Sequence, residues 1–351
     1  MTATITGSFA DTVLNGETEC VTLGHGSGGT LSRALLKEHF LPHFGGTVLR
    51  RLGDAAVVTA GVSHVVLSTN TFVVNPLEFA GGNIGSLAIN GTVNNLAMMG
   101  AQAYYITVGF VIEEGLPLAV LDRVIASMAE AARIARVEIV AGDTKVVERG
   151  KGDGLFVNTT GLGFANTEFR PRASGARAGD VVLVSGPLGL HGATILSARE
   201  GLALDAGLES DTAALFPLVE RLRRATDGEV SALRDPTRGG VAAALSEIAT
   251  ASGVGVEIDE SSLPIPAAVG HTCDLLGLDP LHVANQGTFI AFVPESCADA
   301  ALLALRSHPL GAGARRIGVA VAGHPGLVVL RTTFGRARIV DLPNDALPRI
   351  C

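Results

Sequence analysis

The chain has no tryptophan, only two tyrosines and an aromatic content of 4% over 351 residues. Its cores must therefore be packed from aliphatic side chains. Charge is also scarce: 17% of residues are charged, against 47% hydrophobic, so large buried cores are within reach. The formal net charge is −8, which disfavours nucleic acid as the main partner, although a nucleotide gripped locally stays open. Cysteine is rare. Cys20, Cys273, Cys297 and Cys351 form no CxxC pair, which excludes a zinc knuckle and gives no disulfide framework. No basic n-region precedes an apolar core, so no signal peptide is expected, and a reducing cytoplasm fits free thiols. From Phe79 to Ile112 no residue is charged. Gly81, Gly82, Asn83, Asn90, Asn94, Asn95 and Gln102 interrupt that stretch, so it is not a membrane span. It reads as a buried helix with a polar seam: Asn83, Asn90 and Asn94 fall within about 20° of one face at 100° per residue.

The length predicts two domains. The spacing predicts a loose leader over 1–18, a first domain over 19–169, a linker over 170–179, a second domain over 180–334 and a flexible tail over 335–351. Strands and helices alternate, so the class is α/β or α+β. In the first half, Gly24-His25-Gly26-Ser27-Gly28-Gly29 matches GxGxxG, but the short preceding strand and the absence of a βαβ unit argue against a dinucleotide fold. A glycine-rich flap laying N–H groups on phosphates, or a plain loop, are the readings left. A helix is expected over 31–40, strands over 47–52 and 65–68, a helix over 83–99, a strand over 104–112, a helix over 118–135, and a strand over 138–141 that ends in Gly142-Asp143-Thr144-Lys145. The second half restarts with a strand over 180–185. Its Arg234-Asp235-Pro236-Thr237-Arg238-Gly239-Gly240 opens a helix and suits either an anion or ordinary capping.

The last stretch, Leu347-Pro348-Arg349-Ile350-Cys351, puts a thiol at the end of a long tail. Pro348 stiffens the approach, and Arg349 offsets the α-carboxylate, which would raise the thiol pKa. The pattern reads as a swinging thiol whose cargo the rest of the chain processes.

Taken together and in order, GHGSGG, GDAAVV, NPLEFAGGNIG, VAGDTKVVERG, DPTRGG, the ANxG turn and the terminal PRIC resemble the HypE family of hydrogenase maturation proteins, in the aminoimidazole ribonucleotide synthetase (PurM) superfamily. The resemblance covers the chain from about residue 20. It implies a two-domain α/β (α+β) PurM-like fold whose first domains pair their sheets across a homodimer, with ATP and Mg2+ as cofactors. It implies partners HypF, a carbamoyltransferase, and the HypC–HypD complex, with no nucleic acid and no membrane. The implied reaction is ATP-dependent dehydration of an S-carbamoyl group on Cys351 to a thiocyanate, the source of the cyanide ligand of [NiFe]-hydrogenase. By the same resemblance, Lys145 beside Asp143 is a catalytic cation or else a surface ion pair. Gly24, His25, Gly26, Gly28 and Gly29, with Asp235 and Arg238, are the ATP/phosphate side. Asp54, Asn70, Asn95 and Asp143 are the metal positions, since Mg2+ takes hard oxygens. Gln286 stands at the base position. His191 and His282 read as structural, and Cys20, Cys273 and Cys297 as small hydrophobes.

Four positions depart from the family's usual pattern. Asn70, Asn95 and Gln286 stand where the family has carboxylates, and Leu190 where it has Asp. An amide oxygen ligates Mg2+ without neutralising it, and Gln286 accepts no proton at ordinary pH. A weakened or non-catalytic carrier of the same family is therefore the alternative reading.

Overall fold

The structure, a computed structural model, describes residues 29–35, 37–38, 49–52, 55–60, 63–165, 169–202, 207–342 and 350. After a short helix α1 (Thr30–Leu35), the first half builds a sheet from β1 (Ala56–Ala60), β2 (Ser63–Phe72), β5 (Ala101–Glu113), β6 (Glu138–Val147) and β7 (Leu155–Ala165), with a small hairpin of β3 (Glu78–Phe79) and β4 (Gly82–Asn83) beside it. The strand order is β1-β2-β7-β5-β6. Only β5 and β6 run parallel, because helix α3 (Leu118–Ala135) is the crossover between them, as parallel pairing requires.

The charge-free stretch becomes helix α2 (Ile84–Met98), apolar nearly all round and buried, as a core helix should be. Asn83 caps it: its side chain accepts from the N–H of Gly85 and Ser86, and Ser86 answers in a capping box, satisfying donors that a helix start otherwise leaves bare. Ile84, Leu87 and Leu96 are fully buried, each contributing about 1.5–3 kcal/mol by burial. The helix lies close on β7. A Cβ at Gly161 would come 2.8 Å from Thr92 Cγ2, so glycine there sets the approach.

α2 and α3 cover one face of this sheet. Along β7, Leu155, Val157 and Thr159 point into the core, while Phe156, Asn158 and Thr160 point away. On the strands of the sheet Tyr104, Tyr105, Val111 and Phe164 are exposed, an apolar surface that no described element covers.

The second half forms a seven-stranded sheet in the order β14-β13-β10-β12-β8-β11-β9: β8 (Val181–Val184), β9 (Ala232–Arg234), β10 (Gly255–Asp259), β11 (Ile290–Val293), β12 (Arg315–Val321), β13 (Val328–Arg331) and β14 (Ala337–Ile339). Helices α4 (Leu190–Arg199), α5 (Phe216–Ala225), α6 (Gly240–Ser252), α7 (Ala267–Leu276) and α8 (Glu295–Arg306) pack around it. β8 and β11 are buried throughout, which explains their unbroken apolar runs.

The structure differs from the sequence expectations in three places. The strand expected over 47–52 is a 3-10 turn at Leu49–Arg51, with 41–48 outside the described residues, because Leu52 takes φ 47 and cannot extend. Gly142–Lys145 is not a loop after a strand: the β5 ladder runs on through Glu113↔Val147, so these residues lie inside β6. Residues 337–339 pair with β13, so the sheet continues past the boundary drawn at 334.

Candidate functional site

The seam predicted on α2 is where the two halves meet. Asn90 Nδ2 donates to Thr212 Oγ1 at 3.3 Å. Asn94 donates to the carbonyls of Ala213, 2.8 Å, and Gln286, 3.1 Å, and accepts from Leu215 N–H at 2.8 Å. The buried Asn94 amide is thereby matched at both its nitrogen and its oxygen, as burial demands.

One step round the helix, Asn95 lies among Ser68, Asn70 and Asp235. The amide orientation that suits these neighbours turns its nitrogen to Asp235 Oδ2, 3.1 Å, and the Gly91 carbonyl, 3.2 Å, and its oxygen to the Ser68 hydroxyl, 3.0 Å, and the Asn70 amide nitrogen, 3.2 Å. Asn70 Nδ2 also reaches Thr92 Oγ1 at 3.2 Å. Two of the four expected metal positions, Asn70 and Asn95, are therefore together, and Asp235 of the second half joins them. An amide fills a donor's place against Asp235, so the cluster closes on itself without a cation.

Gln286 lies beside the same helix, one turn back. It is buried, and its Oε1 lies over Gly91, where a Cβ would come within 3.5 Å of it; Gly91 is one turn before Asn95. The Gln286–Gly287 turn is held by a residue that the sequence did not single out. Asp211 takes the N–H of Gln286 and of Gly287, each at 3.0 Å. Burial pushes the Asp211 carboxyl up to about 6, against the pull of those N–H groups. Asn285 ties three loops. Its Oδ1 accepts from Gly189 N–H at 2.6 Å, and its Nδ2 donates to the carbonyls of Pro236 and Val283. The DPTRGG loop thus sits against the ANQG turn. A Cβ at Gly240, which has φ 60, would come 2.4 Å from the Leu281 carbonyl, so this helix start requires glycine. Arg238 is exposed beside it. Leu190 opens α4 behind Gly189 and offers the cleft no charge.

Asp143 and Lys145 stand elsewhere. They pair at 2.9 Å on the edge strand β6, both largely exposed. The Lys145 ammonium, then the Thr144 N–H, hold the Asp143 carboxyl below its ordinary range. Asp143 shares a row with Gly109, Asn158 and Thr71 on the uncovered face, whereas Asn70 pairs with the buried Thr159 on the other. Three strand spacings of about 4.8 Å separate them. Within one chain the expected metal set is therefore split. Gly24, His25, Gly26, Gly28, Asp54, Cys20 and Cys351 lie outside the described residues; Gly29 is buried at the start of α1. Among the described residues no group of three or more His, Cys, Asp or Glu could hold a metal ion. Cys273 is buried and its thiol is pushed up to about 11, first by burial, so it is inert; Cys297 is half-buried near Glu229. His282 bonds the Asp341 carbonyl. No described helix is long and apolar enough to cross a membrane.

The two halves match the family descriptions "AIR synthase related protein, N-terminal domain" over residues 52–165 and "AIR synthase related protein, C-terminal domain" over residues 177–330. These two domains define the class of the fold. Within that class, the carbamoyl dehydratase HypE of Cupriavidus necator is 48% identical over 340 residues, 96% of this chain and 97% of the relative, and that of Escherichia coli K12 is 47% identical over 338, 94% and 99%. A crystal structure of the hydrogenase maturation protein HypE in complex with ATP superposes with a TM-score of 0.80 at 45% identity, covering 94% of this chain and 99% of that one. One of a HypE–HypF complex does so at 0.83 and 43%, covering 88% and 100%. The chain belongs to the carbamoyl dehydratase HypE family, whose members serve hydrogenase maturation.

Proposed function

We propose that the cleft between α2 and the Gln286 turn performs the dehydration of an S-carbamoyl group carried on Cys351, at the expense of ATP. The observation that carries this reading is the convergence of Asn70, Asn95 and Asp235 with Gln286 at one interdomain seam. A thiocarbamate S–C(=O)–NH2 does not shed its oxygen unaided. ATP phosphorylates that oxygen, two protons leave the nitrogen, phosphate departs and S–C≡N remains. Such chemistry calls for donors to phosphate, a cation and a base.

Asp235 reads better as a metal or proton-accepting group than as a phosphate ligand, since a carboxylate repels phosphate unless a cation stands between them. To hold Mg2+ beside Asp235, Asn95 would have to turn its oxygen in place of its nitrogen toward that carboxylate; the ion would then supply charge neutralisation at the phosphates. Two amides give that ion a weaker grip than carboxylates would. Lys145 and Asp143, on the uncovered sheet face, would meet such a site only across a pairing of two copies, so a homodimer belongs to this reading; the exposed Tyr104, Tyr105, Val111 and Phe164 support it. HypF as donor of the carbamoyl group, the HypC–HypD complex as acceptor of the cyanide, and the cytoplasm as compartment are carried over from the family.

A second reading, a slow or non-catalytic carrier, is favoured by one observation: the amide cluster is satisfied without a cation. Phosphate release from ATP separates the two. The dehydratase reading predicts release only when Cys351 is carbamoylated and none from Cys351→Ala; ATP consumption that ignores the state of Cys351 would sink it.

A further inference from the structure

His191 belongs to none of the groups above, yet it is fully buried and both its ring nitrogens are engaged. Nδ1 lies 2.8 Å from Ser210 Oγ, and Nε2 lies 3.3 Å from the Ile350 carbonyl. A carbonyl only accepts, so Nε2 carries the proton and Nδ1 accepts from the Ser210 hydroxyl. Ser210 Oγ in turn accepts from the Thr212 N–H at 3.2 Å. The chain of donors runs one way and fixes the tautomer. Phe79 of the first half meets the ring edge to face, centroids 5.6 Å apart. Burial drives the His191 pKa down to about 4, so the ring is neutral at neutral pH.

Ile350 itself is only 8% exposed and packs in the core cluster that includes Ile195, Leu196 and Ala284. Its socket depends on Gly192: a Cβ there would come 3.2 Å from Ile350 Cδ1 and 2.5 Å from Val283 Cγ1. Ala284 is two residues before Gln286.

We propose that His191 and the Gly192 socket form a docking site for residue 350, which positions the neighbouring Cys351 for reaction. His191 holds the backbone of Ile350 and the socket reads its side chain. Consecutive Cα atoms are about 3.8 Å apart, so an anchored Ile350 narrows the range open to the residue that follows it. The strap that bonds His191 through Ser210 holds the Gln286 turn through Asp211, so the anchor and the turn share one support. A two-point anchor of this kind lowers the entropic cost of bringing a tethered group to its reaction partners. Its catalytic significance rests on the reading above that Cys351 carries the reacting group; the docking does not.

The test uses the full-length protein and the variants Ile350→Ala, Ile350→Val, His191→Ala and His191→Gln. The rate of Cys351 alkylation by iodoacetamide, followed on the C-terminal peptide by mass spectrometry, judges the docking. Ile350→Ala and His191→Ala should raise it about tenfold, the loss expected for one partly used apolar anchor or one hydrogen bond. Ile350→Val, and His191→Gln whose amide donates to the same carbonyl, should recover most of the difference. Alkylation of folded Ile350→Ala at the wild-type rate would overturn the proposal. Ile350→Ala leaves the buried ring in place, so the test stands even where a His191 variant fails to fold. ATP-dependent loss of water, measured on the carbamoylated fraction, judges the positioning, and should fall with the same two variants and return with the conservative pair. Should the wild type lose no water, the dehydratase reading falls, while alkylation still decides the docking.

Discussion

At the scale of single residues, Asn70, Asn95 and Gln286 put amides at positions where the resemblance implies carboxylates. Asn95 donates into Asp235; a carboxylate there would set two negative charges about 3 Å apart, tolerable only with a proton or a cation between them. Asn95→Asp is therefore expected to lower the melting temperature in EDTA and to recover it in Mg2+, with tighter ATP binding by calorimetry. A variant indifferent to Mg2+ would place the metal elsewhere. The buried Asp211 and His191 contribute opposite pH dependences. Asp211, raised from 3.8 to about 6, stabilises most below its unfolded pKa and loses that contribution as pH rises through 6. His191, lowered from 6.5 to about 4, contributes above 6.5 and loses it as pH falls through 4. The two slopes oppose each other between pH 4 and 6. Asp211→Asn removes one of them, so its melting temperature should climb with pH over that range more steeply than the wild type's, by up to one proton's linkage, about 1.4 kcal/mol per pH unit. Parallel curves would contradict the assignment.

At the scale of elements, helix α2 was legible because its absence of charge and its asparagine spacing had one physical reading, a buried helix with a wet seam. Its seam partner was not legible: Thr212, Ala213 and Asp211 sit in a segment without periodicity, which only the fold brings beside Asn94 and Gln286. Asp211 carries no spacing signal of its own, standing beside Glu209 in a short polar run. Helices α5, α7 and α8 were missed for another reason. Pro217, Pro266 and Pro294 stand at or beside their starts, where proline is welcome, but it reads as a breaker in sequence. His191 was read as structural because one histidine at a helix start carries no spacing signal; its partner is 159 residues away. The expected metal set failed to assemble within one chain because alternation along β2 and β6 puts Asn70 and Asp143 on opposite faces, a consequence of register that motif order does not carry. Two capping features invite tests. Asn83→Ala should cost about 1 kcal/mol of stability, and Gly240→Ala more, since its Cβ would strike the Leu281 backbone. Thermal unfolding of both variants checks the order, and equal losses would contradict it.

At the scale of the whole molecule, the two domains share one seam, and the first domain's sheet presents an apolar face to solvent. The homodimer proposed above would cover that face. Val111→Arg, on the uncovered face between Phe156 and Lys145, should convert a dimer to a monomer by light scattering at micromolar concentration; a wild type that is already monomeric there would remove the dimer from the account. The central claim is that this chain dehydrates a group on its own Cys351 at the seam of α2 and Gln286. Mass spectrometry of the C-terminal peptide tests it most directly, on protein first carbamoylated by its transferase and then given Mg-ATP. The account predicts that Cys351 gains a carbamoyl group and then loses one water, with Gln286→Glu losing it faster by up to the 10²–10⁴-fold typical of a general base, about that order. A carbamoyl group that arrives on the wild-type protein and stays would contradict it.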